Sequence, residues 1–228
     1  MQAVILAAGK GTRMAKDYDG PKQLLPVNGK PLISYTLDQL PDEVSEIVLV
    51  VGGPHEDRMR EYFSDGYGGR EVKFVRQEEQ LGLAHAFNCA RDVISGKWMG
   101  LIADDILGDG DLKKLAEKEV AVLAHRVDTP ENFGVLVADE EGNLKHSVEK
   151  PQEFISDLVW TGHMVMGEDF FKADVEPSAR GEYETPDVWM KLINEMGHKI
   201  EIVEADFWIP VNDKSQLEKA EGILKNKN

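Results

Sequence analysis

The sequence predicts an α/β fold with a mixed, mostly parallel sheet at its centre. In the N-terminal half, short apolar runs alternate with amphipathic segments, the pattern of parallel strands joined by helices. Runs such as AVILAA and EIVLVV are apolar at every position, which is typical of strands buried on both faces. The C-terminal half adds alternating strands and a hairpin, and no linker interrupts the chain. One domain covering residues 1–228 is therefore expected.

The elements of the first half follow from hydrophobic periodicity. In the predicted helix 82–94, Leu83, Phe87, Ala90 and Ile94 fall on one face, which we expect to be buried. The other predicted helices cover 31–40, with Pro31 at the first position, 55–64 and 111–118, and the predicted strands cover 3–8, 46–51, 72–75, 97–103 and 120–127.

In the second half, the segment 133–150 alternates on both sides of DEEGN and predicts a hairpin. Further strands are predicted at 158–166 and 199–205, and a helix at 186–196 with Pro186 near its start. A final helix is expected to begin near Asp213 and to bury Leu217, Ala220 and Leu224.

Composition excludes several classes of partner. The 228 residues carry a formal net charge of −16, with 42% hydrophobic and 30% charged residues. An acidic surface argues against nucleic acid and against anionic membranes. The single cysteine, Cys89, cannot form an internal disulfide, and no export signal or run of about 20 apolar residues is present. We expect a cytoplasmic protein, and a homo-oligomer is compatible with the sequence.

The loop LAAGKGTRM follows the first predicted strand, at the sheet edge where α/β proteins bind ligands. It is not a Walker P-loop, which needs G-x-x-x-x-G-K-[S/T], and Met14 breaks the G-x-G-x-x-G pattern of dinucleotide-binding folds. Its glycines nevertheless let backbone N–H groups face an anion, and Lys10 and Arg13 add positive charge. The loop therefore favours a polyphosphate ligand, with an ordinary solvated turn as the alternative.

The chain resembles the sugar-1-phosphate nucleotidyltransferases. The resemblance begins with LAAGKGTRM and PKQLLPVNGKPLI and continues, in the family's order, through QEEQLGLAHAF, LIADDIL, FGVLV, SVEKP, WTGHMVM and GEYETPDV. It covers nearly all of the chain. It implies the Rossmann-like three-layer nucleotide-diphospho-sugar transferase fold, without the β-helix domain that longer relatives append. It also implies a reaction in which an NTP and a sugar-1-phosphate give an NDP-sugar and pyrophosphate.

The resemblance assigns a role to each matched position. The residues that it implies for catalysis are Arg13, Lys22 and Lys150; those for nucleotide binding are Leu6, Ala8, Gly9, Gly11, Thr12, Gln77 and Gly82; and those for the sugar are Gly134, Glu149, Trp160 and Gly162. Such a transfer requires positioning and charge neutralisation more than acid–base groups. Taken singly, Lys22 and Lys150 could be surface lysines. Glu149 could have no role beyond a salt bridge to Lys150 in the hairpin.

Magnesium is the expected cofactor, because a carboxylate together with phosphate oxygens suits this hard ion. The resemblance places Asp104 at the metal-binding aspartate, although the pair Asp104–Asp105 could instead cap a helix. For the second ligand, VNDKSQL matches the uridylyltransferase pattern V-N-N-R-x-Q-L and points to Asn212. Asp213, with Gln216 three residues on, has the pattern of a helix N-cap, and the choice between the two residues stays open.

The sequence defines the base of the nucleotide and the sugar of the second substrate less closely. Backbone N–H groups near Gly82 would favour O4 of uracil or thymine, whereas the amide of Gln77 can present either a donor or an acceptor. UTP or dTTP is therefore favoured, with CTP third. The Trp160 indole could narrow the sugar pocket or face the core. His85 and Cys89, four apart on a helix, are interpreted as packing residues because no further metal ligands are evident.

Two other classes of function compete with an active transferase. A catalytically silent, pyrophosphorylase-like regulatory subunit is disfavoured because Arg13, Lys22, Asp104 and Lys150 are all present. A dinucleotide-dependent oxidoreductase is disfavoured by the broken glycine fingerprint. Release of pyrophosphate from a panel of NTPs and sugar-1-phosphates would discriminate among them.

Overall fold

The computed structural model describes residues 1–9, 11, 14, 16 and 18–225. In the described part of the chain, the strands are β1 (Gln2–Leu6), β2 (Pro26–Val27), β3 (Lys30–Pro31), β4 (Glu46–Val51), β5 (Glu71–Arg76), β6 (Trp98–Ile102), β7 (Asp105–Leu107), β8 (Ala121–Arg126), β9 (Gly134–Ala138), β10 (Leu144–Glu149), β11 (Leu158–Met166), β12 (Glu201–Glu204) and β13 (Trp208–Pro210). The α-helices are α1 (Leu32–Leu37), α2 (Glu56–Tyr62), α3 (Leu83–Asn88), α4 (Asp111–Ala116), α5 (Thr185–Asn194) and α6 (Lys214–Lys225).

The central sheet has the order β10-β9-β11-β6-β1-β4-β5, and β8 and β12 extend it from β11. Strands β6, β1, β4 and β5 pair in parallel, as do β8 and β12. Strand β11 runs antiparallel to β6, β8 and β9, and β10 runs antiparallel to β9. Within the described residues, every strand of this sheet except β10 and β11 therefore points in one direction. The predicted mixed, mostly parallel sheet is confirmed.

Helices cover both faces of the sheet and give the fold three layers. Alternate residues of the central strands divide between two cores: Ile5 belongs to one, and Val4 to the other. Helices α1, α2 and α4 contribute to the first core or flank it, whereas α3 and α5 cover the second, where Trp189 is fully buried. A smaller cluster joins Val27 to Ala220 of α6. The continuous apolar runs are thus explained by burial on two faces.

Several predicted elements differ in detail. Helix α3 ends at Asn88 rather than at residue 94, and turns complete the segment. Phe87, Ala90 and Ile94 are buried as predicted, but the expectation for Leu83 was wrong: it is 42% exposed. Leu83 is the first residue of α3 and borders a cavity at the sheet edge instead of the core.

The final helix agrees with the prediction, with Ala220 buried and its apolar neighbours partly buried. The short strands β2, β3, β7 and β13 were not predicted. No helix in the described ranges combines the length and the apolar character that a membrane span requires.

Candidate active site

A cavity of about 540 Å³ opens at the carboxyl ends of the central strands. Its wall is formed by strand ends and loops that are far apart in the sequence. Of the residues singled out from the sequence, the cavity is lined by Asp104, Gly134, Glu149, Lys150, Trp160, Gly162 and Asn212. The fold therefore brings the sugar-side and metal-side candidates together on one surface.

Lys22 connects the two candidate metal ligands. Its Nζ atom donates to Asp104 Oδ2 at 2.5 Å and to Asn212 Oδ1 at 3.1 Å. The three residues come from a 3-10 turn after β1, from the end of β6 and from the loop before α6. Lys22 is only 8% exposed, so it is not the surface lysine that its sequence context alone would allow. The oxygens of Asp104 and Asn212 thus face a single cation.

The neighbouring aspartates have opposite surroundings. Asp104 remains partly open to the cavity, whereas Asp105 is 2% exposed and accepts a hydrogen bond from Trp208 Nε1 at 2.7 Å. Burial raises the pKa of Asp105 well above its usual range, and the charge of Asp104 adds to this effect. The alternative that this pair caps a helix is wrong, because Asp105 begins strand β7, and α4 begins only at Asp111.

Asp213 is engaged at the start of α6. Its Oδ1 atom accepts the backbone N–H of Gln216 at 2.9 Å, and Gln216 Oε1 accepts the backbone N–H of Asn212 at 2.6 Å. These two bonds satisfy backbone donors at the helix entry, as in a capping box. The carboxylate of Asp213 is thereby used in capping, while the side chain of Asn212 is directed to Lys22.

The end of the β9–β10 hairpin presents Glu149 and Lys150 to the cavity. Glu149 pairs in register with Gly134, and its Oε1 atom lies 3.1 Å from Lys150 Nζ. Lys150 adopts φ 45°, in the left-handed region, which is uncommon for a residue with a side chain. Backbone conformations of this kind cluster at functional sites. The backbone N–H of Lys150 donates to Phe133 O at 3.0 Å and holds this turn in place.

Arg180 is a candidate that the sequence analysis missed. Its guanidinium lies 2.7 Å from Glu184 Oε1 and 3.6 Å from Glu149 Oε1. It adds positive charge beside the carboxylate that faces the cavity. The available signal was its position directly before the GEYETPDV segment.

Strand β11 forms a wall of the cavity. Trp160 is 6% exposed, donates from Nε1 to His163 O at 2.9 Å, and packs edge-to-face on Trp189. It therefore belongs to the core and also borders the cavity. Gly162 has φ 91°, and a Cβ built there would lie 2.2 Å from Ile102 Cδ1, so only glycine fits. Burial lowers the pKa of His163 to about 4, so this side chain is neutral near pH 7.

The nucleotide-side candidates form a second group next to the cavity. Leu6 ends β1 and Ala8 follows it, and Gln80 Nε2 donates to Ala8 O, which joins this loop to the segment that contains Gln77 and Gly82. Gln77 is 4% exposed. Gly82 has φ 102°, and a Cβ there would lie 2.6 Å from Tyr183 O.

The loop after β1 also approaches Lys22, which binds Asp104 and Asn212. Gly11 lies against Lys22, since a Cβ built on Gly11 would be 3.4 Å from Lys22 Cβ, and the space around Gly9 is open within 4 Å. Thr12 and Arg13 fall outside the described residues, and their assignments stay predictions.

The family of the chain follows from comparison with known proteins. The family model described as "Nucleotidyl transferase" matches residues 2–226. The chain belongs to the nucleotidyl transferase family. The predicted resemblance and enzyme class are thereby confirmed.

Two relatives of this nucleotidyltransferase cover most of its length, and one of them is named for a sugar-1-phosphate substrate. The UTP–glucose-1-phosphate uridylyltransferase AglF of Haloferax volcanii is 36% identical over 218 residues, which cover 91% of this chain and 89% of the relative. The bifunctional protein GlmU of Methanococcus vannielii is 35% identical over 202 residues, or 85% of this chain. The chain spans about half of that protein, since 48% of its length is covered.

A solved structure confirms the fold of this nucleotidyltransferase. A protein from Bacillus anthracis, described as a glucose-1-phosphate thymidylyltransferase in complex with a sucrose, superposes with a TM-score of 0.86 at 26% identity. The alignment covers 100% of this chain and 96% of the other. This nucleotidyltransferase therefore has the sugar-1-phosphate nucleotidyltransferase fold that the sequence predicted.

Proposed function

We propose that this nucleotidyltransferase transfers a uridylyl group from UTP to a sugar-1-phosphate, giving a UDP-sugar and pyrophosphate. The observation that carries the proposal is that Asp104 and Asn212, both bound to Lys22, line the same cavity as Glu149 and Lys150. The cations of Lys22 and Lys150, which suit phosphate groups, thus lie near the carboxylates of Asp104 and Glu149, which suit a metal ion and sugar hydroxyl groups. UTP is preferred over dTTP because the relative from Haloferax volcanii is named a UTP-dependent enzyme.

In the proposed reaction, a phosphate oxygen of the sugar-1-phosphate attacks the α-phosphorus of UTP. The bond from that phosphorus to the bridging oxygen breaks, and the β- and γ-phosphates leave together as pyrophosphate. Lys150 holds the sugar phosphate, and Lys22 neutralises charge on the reacting phosphates. Arg13 is assigned to the leaving phosphates from the sequence. Bringing two anions together in this way is largely a matter of positioning and electrostatics.

Magnesium fits the residues present. Asp104 supplies a carboxylate and Asn212 a neutral carbonyl oxygen, and both oxygens already face one cation, the ammonium of Lys22. Within the described residues, no cluster of three His, Cys, Asp or Glu side chains could hold a metal. Phosphate oxygens and water would therefore complete the shell, as is usual for this ion. When bound, Mg²⁺ would neutralise phosphate charge.

The sugar would lie against Gly134, Glu149, Trp160 and Gly162. Glu149 is an acceptor of hydrogen bonds and suits sugar hydroxyl groups. The hairpin register fixes its position opposite Gly134, and its ion pair with Lys150 ties the sugar-reading and phosphate-holding groups together. Glucose-1-phosphate and N-acetylglucosamine-1-phosphate are the proposed substrates to test first.

The direct test is pyrophosphate release with Mg²⁺, each of UTP, dTTP and CTP, and a panel of sugar-1-phosphates. We expect release with UTP, formation of the matching UDP-sugar by mass spectrometry, loss of activity in EDTA and recovery with added Mg²⁺. Absence of release with every pair would support a silent subunit and refute the proposal. Activity that survives exhaustive chelation would refute the metal assignment.

A matched pair of lysine variants on the same hairpin tests the sugar-phosphate site. Lys150→Ala is expected to lower turnover by about 100-fold or more, because it removes phosphate positioning. Lys145→Ala changes an exposed lysine of the same strand that does not line the cavity, and it should keep wild-type rates. Equal rates in the two variants would contradict the role of Lys150.

A further inference from the structure

Gln77 and His85 form a partly buried contact beside the nucleotide-side loop. Gln77 Nε2 lies 3.0 Å from His85 Nδ1, and Gln77 is 4% exposed. Gln77 directly follows β5, and His85 lies in the first turn of α3. The sequence analysis interpreted His85 only as a packing residue, so this contact gives it a more specific position.

In this structure the amide nitrogen of Gln77 faces the Nδ1 atom of His85. An amide nitrogen is only a donor, so Nδ1 accepts this bond in the tautomer that carries the ring proton on Nε2. The amide oxygen of Gln77, Oε1, takes no part in this hydrogen bond. Among the described residues, no donor contacts Gln77 Oε1, which leaves it available as an acceptor for a ligand.

The position of His85 is itself well supported. Its ring lies 6.1 Å from the ring of Tyr183, with 30° between their planes. The backbone of Tyr183 holds the start of α3, since Ala84 N–H donates to Tyr183 O at 3.1 Å and Tyr183 N–H donates to Leu81 O at 2.7 Å. The helix start and the ring are therefore held against Tyr183.

We propose that His85, with its ring proton on Nε2, is a positioning residue for base selection, which holds Gln77 with its amide oxygen toward the base. In this orientation the oxygen accepts the N3–H of uracil or thymine. Cytosine instead has an unprotonated N3, and two acceptors would face each other. The inference deepens the proposed function and rests on it, because it takes the segment 77–82 as the base-reading site.

The proposal differs from what the sequence alone allows. A free glutamine amide can rotate and read either base, because it offers a donor and an acceptor. In the Nε2–H tautomer of His85, rotation of the amide would break one hydrogen bond and bring the Oε1 atom against the Nδ1 lone pair. Leaving a partly buried polar pair mismatched in this way is unfavourable, and the rotated amide is satisfied only when the ring proton moves to Nδ1. A histidine in the Nε2–H tautomer would thereby make an ambiguous amide selective.

The experiment compares kcat/KM for UTP and for CTP in the wild type and in variants at position 85. His85→Phe keeps a ring next to Tyr183 and removes the acceptor, and His85→Ala does so with a smaller side chain. His85→Asn is the rescue variant, because its Oδ1 atom can occupy the place of Nδ1. Asn88→Ala, one turn along α3, is the control. Melting curves establish that each variant is folded.

We expect the UTP-to-CTP ratio to fall by about tenfold or more in the Phe and Ala variants. The change should arise mainly in KM, and UMP should lose its advantage over CMP as a competing ligand. The Asn variant should keep most of the ratio, and Asn88→Ala all of it. An unchanged ratio in Phe and Ala, or equal losses with both nucleotides, would overturn the proposal.

Failure of the transferase activity and failure of the role of His85 give different results in this experiment. A wild-type protein that transfers from no nucleotide would refute the proposed function, and the inference with it. A wild-type protein that is active on UTP, with acceptor-free variants of unchanged selectivity, would refute only the role of His85.

Discussion

Two adjacent residues, Asn212 and Asp213, provide the sharpest test of how the site is assembled. Both precede α6, but the Asn212 side chain accepts from Lys22 at 3.1 Å, and that of Asp213 accepts from Gln216 N–H at 2.9 Å. Alanine at 212 should therefore affect the magnesium requirement, and alanine at 213 should affect stability. Neither substitution alters a large apolar contact, so the two effects can be separated.

The magnitudes follow from the contacts that are lost. Removing an N-cap such as Asp213 costs about 1 kcal/mol, which for a chain of this size lowers Tm by about 2–4 °C. Asn212→Ala loses one hydrogen bond, worth about 0.5–1.5 kcal/mol at most. The main effect of Asn212→Ala should be on the affinity for Mg²⁺, because losing a group that holds or orients a metal reduces metal affinity by about 10–100-fold.

The assay is pyrophosphate release as a function of Mg²⁺ concentration, together with thermal unfolding of each variant. We expect Asn212→Ala to need at least about tenfold more Mg²⁺ for half-maximal rate, and Asp213→Ala to need the same amount as the wild type. A raised Mg²⁺ requirement in Asp213→Ala with a normal one in Asn212→Ala would show that the ligands have been assigned in the wrong order. Normal requirements in both would remove this loop from the metal site.

Three further outcomes can be measured. Lys22→Ala should lower turnover by about 100-fold or more with an unchanged circular dichroism spectrum, because phosphate positioning is lost; wild-type kinetics would refute its role. Gly162→Ala should lower the free energy of unfolding by about 2 kcal/mol or more in urea titrations, because its methyl group would meet Ile102 in a strained backbone conformation; a neutral effect would contradict this packing. The backbone N–H of Asn143 lowers the pKa of Asp139, so Asp139 contributes stability above the unfolded-state pKa that is lost as pH falls through the folded-state pKa. Stability measured between about pH 5 and 3 should therefore fall less steeply in Asp139→Asn, and parallel curves would argue against the hydrogen bonds.

The sheet could be predicted from the sequence because its strands are long and apolar. Strands β1, β4 and β6 are buried on both faces, and no other element explains such runs. The short pair β7–β13 could not be predicted, since each strand has three residues and Pro210 ends β13. The two strands are also joined by the hydrogen bond between Asp105 and Trp208, which are separated by 103 residues.

Burial predicted from local sequence patterns was also wrong where tertiary contacts determine which side chains are buried. Leu83 has the right spacing for a buried helix face, but the helix begins there, beside the cavity. In β10, a bulge between Leu144 and His146 places Leu144 and Ser147 on the buried side, although they are three residues apart. A period of two along the sequence cannot reveal this inserted residue.

The site itself was only partly accessible from the sequence. The position of Lys22 between Asp104 and Asn212 joins residues 82 and 190 positions apart, which no local pattern could indicate. The resemblance selected positions that the fold places on the cavity wall, but it gave no reason to connect Gln77 with His85. Arg180 was missed because a single arginine in a charged segment carries no signal of its own.

Strand β11 determines how the substrate range of this protein could be altered by engineering. The same strand pairs with β6, β8 and β9 and also borders the cavity, and all nine of its residues are buried. Substitutions at Trp160 or Gly162 intended to admit a different sugar would therefore disturb the folding core at the same time. The loop at Thr129 and Asn132 lines the same cavity without belonging to the sheet. A mutant library aimed at a new sugar is best built there, where the scaffold can tolerate variation.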